Sequence, residues 1–212
     1  MGEAQLRSRL QIIAPYVEWI RTCGSTGGLA ATGRIAHDLD LKTAIGAWLD
    51  ADSTSNEQEI ANLIAAARAG DVNIAVVGNE VLFRGELTAG AVIGHVERVR
   101  DAIPDSIPVS TAETCGELLA HPEIIDAVDG VFANHYAYWK GVALDGALDA
   151  LRGCHQQLVS AAGGKPVVIS ETGWPWCGDS VRSAVPNPLT AITYPHGEGV
   201  TKTSTGTGTL PV

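Results

Sequence analysis

Residues 74–80 read IAVVGNE and residues 166–171 read PVVISE, and these two stretches decide the fold. Each is a short run rich in β-branched residues and bounded by Gly or Pro, a pattern that predicts a buried strand of a parallel sheet. Glu80 and Glu171 therefore stand where two strands end. Ligands and catalytic groups gather at the carboxyl ends of parallel strands, so we expect both carboxylates at the functional face of an α/β protein.

Apolar runs and amphipathic helical patterns alternate along most of the chain. Strands are predicted to start near residues 17, 42, 72, 108, 131 and 166, and such spacing is typical of βα units in a parallel sheet. Two arrangements of the sheet fit this pattern: a doubly wound open sheet or part of a (β/α)8 barrel. Neither GxGxxG nor GxxxxGK[ST] follows a predicted strand, and residues 24–28 (GSTGG) are interpreted as an ordinary loop. The barrel is therefore favoured.

The helical patterns and the tail set the predicted domain limits. Apolar residues three and four apart predict a helix behind the cap Ser55, another behind Thr88, and a third over residues 144–161. The barrel domain is predicted to occupy residues 1–188. Residues 189–212 are rich in Thr and Gly and lack helical periodicity, so they are predicted to form an irregular tail.

Composition excludes several classes of function. The 212 residues are 45% hydrophobic and 18% charged, which predicts an ordered globular chain. The net charge of −10 disfavours nucleic acid or an anionic membrane as partner, because both attract basic surfaces. No apolar run approaches the roughly 18 residues of a membrane-spanning helix, and no signal peptide is visible. The cellular location stays open, because the true N-terminus of the protein need not be the first residue here.

Cysteine and histidine spacing gives no sign of a metal or cofactor. Cys23, Cys115, Cys154 and Cys177 are too few and too irregularly spaced for a disulfide scaffold or a CxxC zinc site, so we expect reduced, unpaired thiols. The six histidines form no HExxH motif, and GxSxG is absent. We therefore predict neither a metal nor a cofactor.

The paired glutamates point to glycoside hydrolysis. A retaining glycosidase needs one carboxylic acid and one carboxylate roughly 5–5.5 Å apart on either side of the scissile bond. One strand-end glutamate alone is more often a cap or an ion-pair partner, whereas two together favour catalysis. Glu113 is either a further carboxylate of the site or a solvated surface group.

Tryptophans lie near the same strand ends, where flat aromatic faces suit the C–H faces of sugars. Trp48, Trp139, Trp174 and Trp176 are either sugar platforms or plugs of the barrel top. Trp174, directly behind the second glutamate motif, is the best candidate for sugar contact, and Trp48 is also predicted to bind substrate.

Residues 76–80 (VVGNE) and 169–175 (ISETGWP) resemble the two catalytic signatures of glycoside hydrolase family 17, the β-1,3-glucanase family. Residues 133–139 (ANHYAYW) resemble the strand-six segment of that family, with Ala137 in place of its usual proline. Residues 20–24 and 44–49 also fit, especially the bacterial branch. The resemblance covers roughly residues 4–188.

The resemblance implies a retaining hydrolase of β-1,3-glucan that works by double displacement without a cofactor. It implies that Glu80 is the acid/base and Glu171 the nucleophile. It also implies that Asn79 binds the sugar 2-hydroxyl, that Tyr136 holds the nucleophile, and that Asn134 supports the site. A glucan transglycosylase and a catalytically impaired glucan-binding fragment are the alternatives.

The resemblance extends only from strand two to strand seven of an eight-stranded barrel. Family barrels typically have about 250 residues. We therefore expect an incomplete barrel of about six βα units with weakened or lost activity. Its two open sheet edges would carry unpaired backbone groups, which predicts self-association.

Overall fold

The computed structural model describes residues 2–194, and its six strands lie where the sequence predicts them. All paired strands are parallel, and the strand order follows the chain order. The strands are β1 (Trp19–Arg21), β2 (Lys42–Ala47), β3 (Ile74–Asn79), β4 (Val109–Thr114), β5 (Val131–Asn134) and β6 (Val167–Glu171). The helices are α1 (Glu3–Ile13), α2 (Thr32–His37), α3 (Ser53–Arg68), α4 (Ala89–Ala102), α5 (Cys115–Ala120), α6 (Pro122–Ala127), α7 (Leu144–Ala161) and α8 (Pro188–Thr193).

A first compact unit comprises residues 2–112 with 127–129. Its strands pair in chain order from β1 to β4, and Val76 of β3 pairs with Gly46 on one side and Ser110 on the other. The strand β3 is buried over its whole length, as its unbroken apolar run predicts. The buried face of α3, which includes Ile60 and Leu63, contributes to the core of this unit.

The backbone directly after β1 comes unusually close to β2 at Gly46. A Cβ atom at this position would lie 2.4 Å from the carbonyl oxygen of Thr22 and 2.7 Å from that of Cys23. The Gly46 N–H also donates to Thr22 Oγ1, at 3.2 Å. Only glycine fits where two backbones approach so closely.

A second compact unit comprises residues 113–126 and 130–194. Its strands β5 and β6 are parallel partners, and α7 packs against both β6 and α5. The helix α7 occupies the predicted residues and buries Leu151 and Leu158. A second apolar cluster forms around Tyr138, Trp174 and Tyr194.

Cysteines 115 and 154 form a disulfide in this second unit, so the expectation of four reduced thiols is wrong for this pair. The bridge joins the start of α5 to the middle of α7 across 39 residues, with a Cα–Cα distance of 6.2 Å. Cys23 and Cys177 lie outside this disulfide. Sequence spacing concealed the pair because the fold, not the local chain, brings α5 and α7 together.

One helix cap and one short helix differ from the predictions. The cap of α3 is Asp52, whose carboxylate accepts from the N–H groups of Thr54 and Ser55, so Ser55 is not the cap. Residues 188–193 form α8, capped by Asn187, where an irregular segment was predicted. The remainder of the predicted tail, residues 195–212, lies outside the described residues.

Within residues 2–194 no helix is both long enough and apolar enough to cross a membrane.

Candidate active site

Glu80 directly follows β3 in a backbone conformation that few non-glycine residues adopt. Its φ is +54°, and that of the nearby Gly78 is +91°. The β3–β4 register shifts between Val76 and Asn79. The Glu80 N–H donates to the carbonyl oxygen of Ala112 on β4, at 2.8 Å, which anchors the half-buried glutamate after this shift. Left-handed backbone of this kind is often found at functional sites, where the surrounding structure holds it in place.

Asn79 lies beside Glu80 and is buried. Its Oδ1 atom accepts a hydrogen bond from Nη2 of Arg21, at the end of β1, over 2.7 Å. This bond fixes the orientation of the amide. The structure thus places the Asn79 side chain against Arg21 at the carboxyl ends of β1 and β3.

Arg84 contacts two strand ends of the first unit, and sequence reasoning did not single it out. Its guanidinium donates to the carbonyl oxygen of Asn79, which precedes Glu80, and to that of Leu49 at 2.6 Å. It also pairs with Glu86, at 2.7 Å. Its central carbon lies 4.2 Å from the ring centroid of Trp48, so the half-buried Trp48 is stacked on this arginine. The sequence pattern GNExxxR at residues 78–84 is the signal that could have identified Arg84.

Glu59 is a second residue that the sequence reasoning missed. Although it lies on α3, it is buried, and its carboxylate accepts from Ser25 N at 2.6 Å and from Trp48 N at 3.1 Å. The hydroxyls of Ser25 and Thr26 also donate to it. Glu59 therefore joins the loop after β1 to the loop after β2.

The hydrogen bonds also set the ionisation of Glu59. Burial alone would raise its pKa, but the donors from Thr26, Ser25 and Trp48 together lower the pKa below its ordinary value. The charged carboxylate is therefore the form that holds both loops.

Glu171 ends β6 in the second unit, where Tyr136 contacts it. The tyrosine hydroxyl donates to Glu171 Oε2 at 3.1 Å, and the N–H of His135 donates to the backbone carbonyl of Glu171 at 2.9 Å. A Cβ atom on Gly173 would lie 3.4 Å from the Tyr136 ring. The carboxylate is thus held in one orientation by the residues that follow β5.

Asn134, the last residue of β5, is buried one position from His135. Its Oδ1 atom accepts from the hydroxyl of Ser170, the neighbour of Glu171, at 2.7 Å. This cross-strand bond joins the ends of β5 and β6. The sequence-predicted set of Asn134, Tyr136 and Glu171 is therefore brought together within the second unit.

Trp174, predicted to contact the sugar, is largely buried, and its sugar contact stays a prediction. Only 8% of the residue is exposed, and its indole N–H donates to Val185 O at 3.0 Å. Its ring packs against Tyr138 and Tyr194, with centroids 5.7 and 5.8 Å apart. The residue belongs to the core that supports the Glu171 loop, whereas Trp139 and Trp176 are the exposed tryptophans of this unit.

Glu113 is fully buried at the end of β4, so the interpretation as a solvated surface group is wrong. It is followed two positions later by Cys115, whose disulfide to Cys154 lies close to His135. Burial and the positive charge of Lys140 lower the pKa of His135.

The family model described as "BtgE/BtgC glycoside hydrolase domain" matches residues 1–196. The chain belongs to this family. The resemblance to glycoside hydrolase family 17 is confirmed by this match together with a family 17 neighbour of known structure.

Several relatives of this BtgE/BtgC domain are fungal. Glucan 1,3-beta-glucosidase BGL2 of Candida albicans is 26% identical over 202 residues, which are 86% of this chain and 64% of that protein. A glucan 1,3-beta-glucosidase of Arthroderma benhamiae is 29% identical over 167 residues, which are 74% of this chain and 53% of that protein. The chain therefore spans less than two thirds of both relatives. The expected likeness to a bacterial branch gains no support from them.

A solved structure settles the fold class. The family 17 β-1,3-glucanosyltransferase of Rhizomucor miehei is 26% identical to this BtgE/BtgC domain and has a TM-score of 0.84, covering 92% of this chain and 75% of its own. An active-site mutant of that enzyme has been solved with laminaritriose. The prediction of six βα units of a (β/α)8 barrel is therefore confirmed.

Proposed function

We propose that this domain hydrolyses β-1,3-glucan with retention of anomeric configuration, with Glu80 as acid/base and Glu171 as nucleophile. Membership of a glycoside hydrolase family supports the reaction class. The observation that carries the residue assignment is the hydrogen bond from Tyr136 to Glu171, because a nucleophile must be held in a fixed orientation. Glu80 directly follows β3 and Glu171 is the last residue of β6, and catalytic groups of such barrels stand at the carboxyl ends of strands.

In the first step, Glu80 gives its proton to the glycosidic oxygen while a carboxylate oxygen of Glu171 attacks the anomeric carbon. The leaving sugar departs, and a glycosyl ester remains on Glu171. In the second step, Glu80 takes a proton from water, whose oxygen attacks the same carbon and releases Glu171. Asn79 is placed beside the acid/base and would bind the sugar 2-hydroxyl.

Transglycosylation is the second candidate, because the family 17 structure with a TM-score of 0.84 is that of a β-1,3-glucanosyltransferase. The first step is the same. In the second, a hydroxyl of another glucan chain replaces water as the acceptor. Oligosaccharides longer than the substrate, formed from laminarioligosaccharides at high concentration, would favour transfer over hydrolysis.

The assignment is tested by azide rescue of alanine variants. Glu80→Ala and Glu171→Ala should each slow laminarin cleavage, with general acid–base catalysis alone worth about 10²–10⁴-fold. With an aryl β-glucoside and azide, Glu171→Ala should give the α-glycosyl azide and Glu80→Ala the β-glycosyl azide. Nuclear magnetic resonance of the products distinguishes the two.

Glu57→Gln is the matched control, since Glu57 is an exposed residue of α3 that pairs with Arg98. It should cleave laminarin at the parental rate. An initial product of α configuration from the parent, or an unchanged rate in Glu171→Ala, would contradict the double-displacement mechanism. Glucan binding without cleavage by the parent would instead indicate a binding fragment.

A further inference from the structure

Three buried side chains with metal-binding atoms meet near the start of α5. Cys115 is the first residue of α5, Cys154 lies in α7, and His135 directly follows β5. The two sulfur atoms and one imidazole nitrogen all lie within 4.8 Å of one another. All three residues belong to the second unit, and the described structure holds the two sulfurs as a disulfide.

His135 provides a second, independent observation. Only 9% of the residue is exposed, and its Nε2 atom has no hydrogen-bond partner within the described part of the chain. Buried polar atoms are almost always paired, so this unpaired imidazole nitrogen requires an explanation. A metal ion bound at that nitrogen would supply the missing interaction.

We propose that Cys115, His135 and Cys154 form a zinc site when the disulfide is reduced, and that the disulfide is the metal-free, oxidised state of the same site. Thiolate and imidazole are ligands that zinc prefers, and three protein ligands leave its fourth position for a water molecule. Two thiolates carry two negative charges, which a divalent cation neutralises in a buried place where bare charges are costly. The ion would join α5, α7 and the end of β5.

The interconversion requires a dithiol reductant. Two electrons and two protons pass from the reductant to the protein, so that the Cys115–Cys154 S–S bond breaks and a new S–S bond forms in the reductant. Zinc then displaces the two thiol protons and binds both sulfurs. Oxidation by a disulfide reverses the electron transfer and releases the ion.

The test uses the whole chain with Cys23→Ser and Cys177→Ser, so that only the proposed cysteines remain. After reduction with dithiothreitol and its removal without oxygen, the protein should retain one zinc per chain after gel filtration. The oxidised protein should retain none. Cobalt(II) bound to the reduced protein should show a thiolate-to-metal charge-transfer band in the near ultraviolet.

His135→Gln should weaken zinc binding on the order of 100-fold or more, since even outer partners of metal ligands are worth about 10–100-fold. His155→Gln is the matched control. This residue adjoins Cys154 in sequence, but its Nε2 atom already lies 3.3 Å from Val167 O. It should bind zinc as the parent does.

If reduction unfolds the protein, the proposal is tested by refolding. Zinc that binds only to the folded chain stabilises that chain by its free energy of binding. Zinc should then restore the native circular dichroism of the parent and of His155→Gln, but not of His135→Gln. Zinc retention that does not depend on His135, or retention of copper(I) without zinc, would overturn the proposal.

Discussion

Arg84 is the residue whose loss should most directly disturb the end of β3. Its guanidinium holds the carbonyl groups of Asn79 and Leu49 and supports the ring of Trp48. Lysine carries the same charge but cannot bridge two carbonyl groups in a planar fork. We expect Arg84→Lys to lower the kcat for laminarin roughly 10–100-fold, because small displacements of a catalytic group are costly.

Arg98→Lys is the control for Arg84, since Arg98 forms an exposed pair with Glu57. Surface pairs of this kind contribute little to stability. The comparison is made by steady-state kinetics, with thermal unfolding to show that both variants are folded. An unchanged kcat in Arg84→Lys would show that the hydrogen bonds of Arg84 to Asn79 and Leu49 do not position Glu80.

Glu59 should make the stability of the first unit depend on acid pH. Its pKa in the folded chain lies below the ordinary value of 4.5, so its contribution is present above about pH 4.5 and is lost as the pH falls through the folded pKa. Glu59→Gln should lower the free energy of unfolding at pH 7 by about 2–4 kcal/mol, because several charge-assisted bonds weaken. Urea unfolding from pH 7 to pH 3 measures both effects.

The difference between the parent and Glu59→Gln should therefore shrink below pH 4.5. Glu57→Gln, on the exposed side of the same helix, should change the unfolding free energy at pH 7 much less than Glu59→Gln. A constant difference between the parent and Glu59→Gln across this pH range would show that the charged carboxylate does not hold the two loops.

Residues marked by a local sequence pattern could be predicted, whereas residues whose contacts are distant in the chain could not. Glu80 and Glu171 follow apolar runs and could be predicted as strand-end carboxylates. Glu59 looked like one more polar residue of an amphipathic helix, because its donors lie 33 and 34 residues earlier in the chain. The burial of Trp174 could not be predicted, because its ring packs against Tyr194, which the sequence pattern did not connect to it.

At the scale of elements, the disulfide should be the main covalent support of the second unit. It closes a loop of 39 residues between α5 and α7, which corresponds to roughly 4 kcal/mol of stabilisation in the loop-entropy account. Cys115→Ser/Cys154→Ser should lower the free energy of unfolding by about that amount in oxidising, zinc-free buffer. Guanidinium unfolding measures it.

The matched control for this pair is Cys23→Ser/Cys177→Ser, which replaces the two cysteines outside the disulfide. A similar loss of stability in both double variants would indicate a general effect of cysteine replacement. Stability equal to that of the parent in Cys115→Ser/Cys154→Ser would show that the bridge adds nothing to the fold.

The buried strands and the longer helices were predictable, whereas the short helices α2 and α5 were not. The 18 residues of α7 were predicted correctly because four leucines mark one face. The six-residue helices α2 and α5 were not predicted, since neither is long enough to show a repeat. The cap of α3 was misplaced by three residues because Asp52, Ser53 and Ser55 are all good capping residues.

At the scale of the whole molecule, β1 and β6 stand at the two ends of the strand order. The segment before β1 also exposes apolar side chains, including Ile12, Tyr16 and Val17. Apolar surface of this kind favours association with a second copy. We therefore predict self-association that increases with protein concentration, measured by sedimentation velocity.

Val17→Lys should weaken this association, because a charge beside an edge strand disfavours pairing. Val159→Lys is the control, since Val159 is a residue of α7 with nearly the same exposure, 40% against 39% for Val17. A monomer at every concentration, or an equal effect of both variants, would contradict the prediction.

The close approach of two backbone segments at Gly46 limits how this protein can evolve. Because any side chain there would collide with the backbone of residues 22 and 23, neighbouring substitutions in the core cannot compensate for it. In a library that varies every codon and selects for folded protein, position 46 should return almost only glycine, while the buried Ala47 beside it accepts some other small residues.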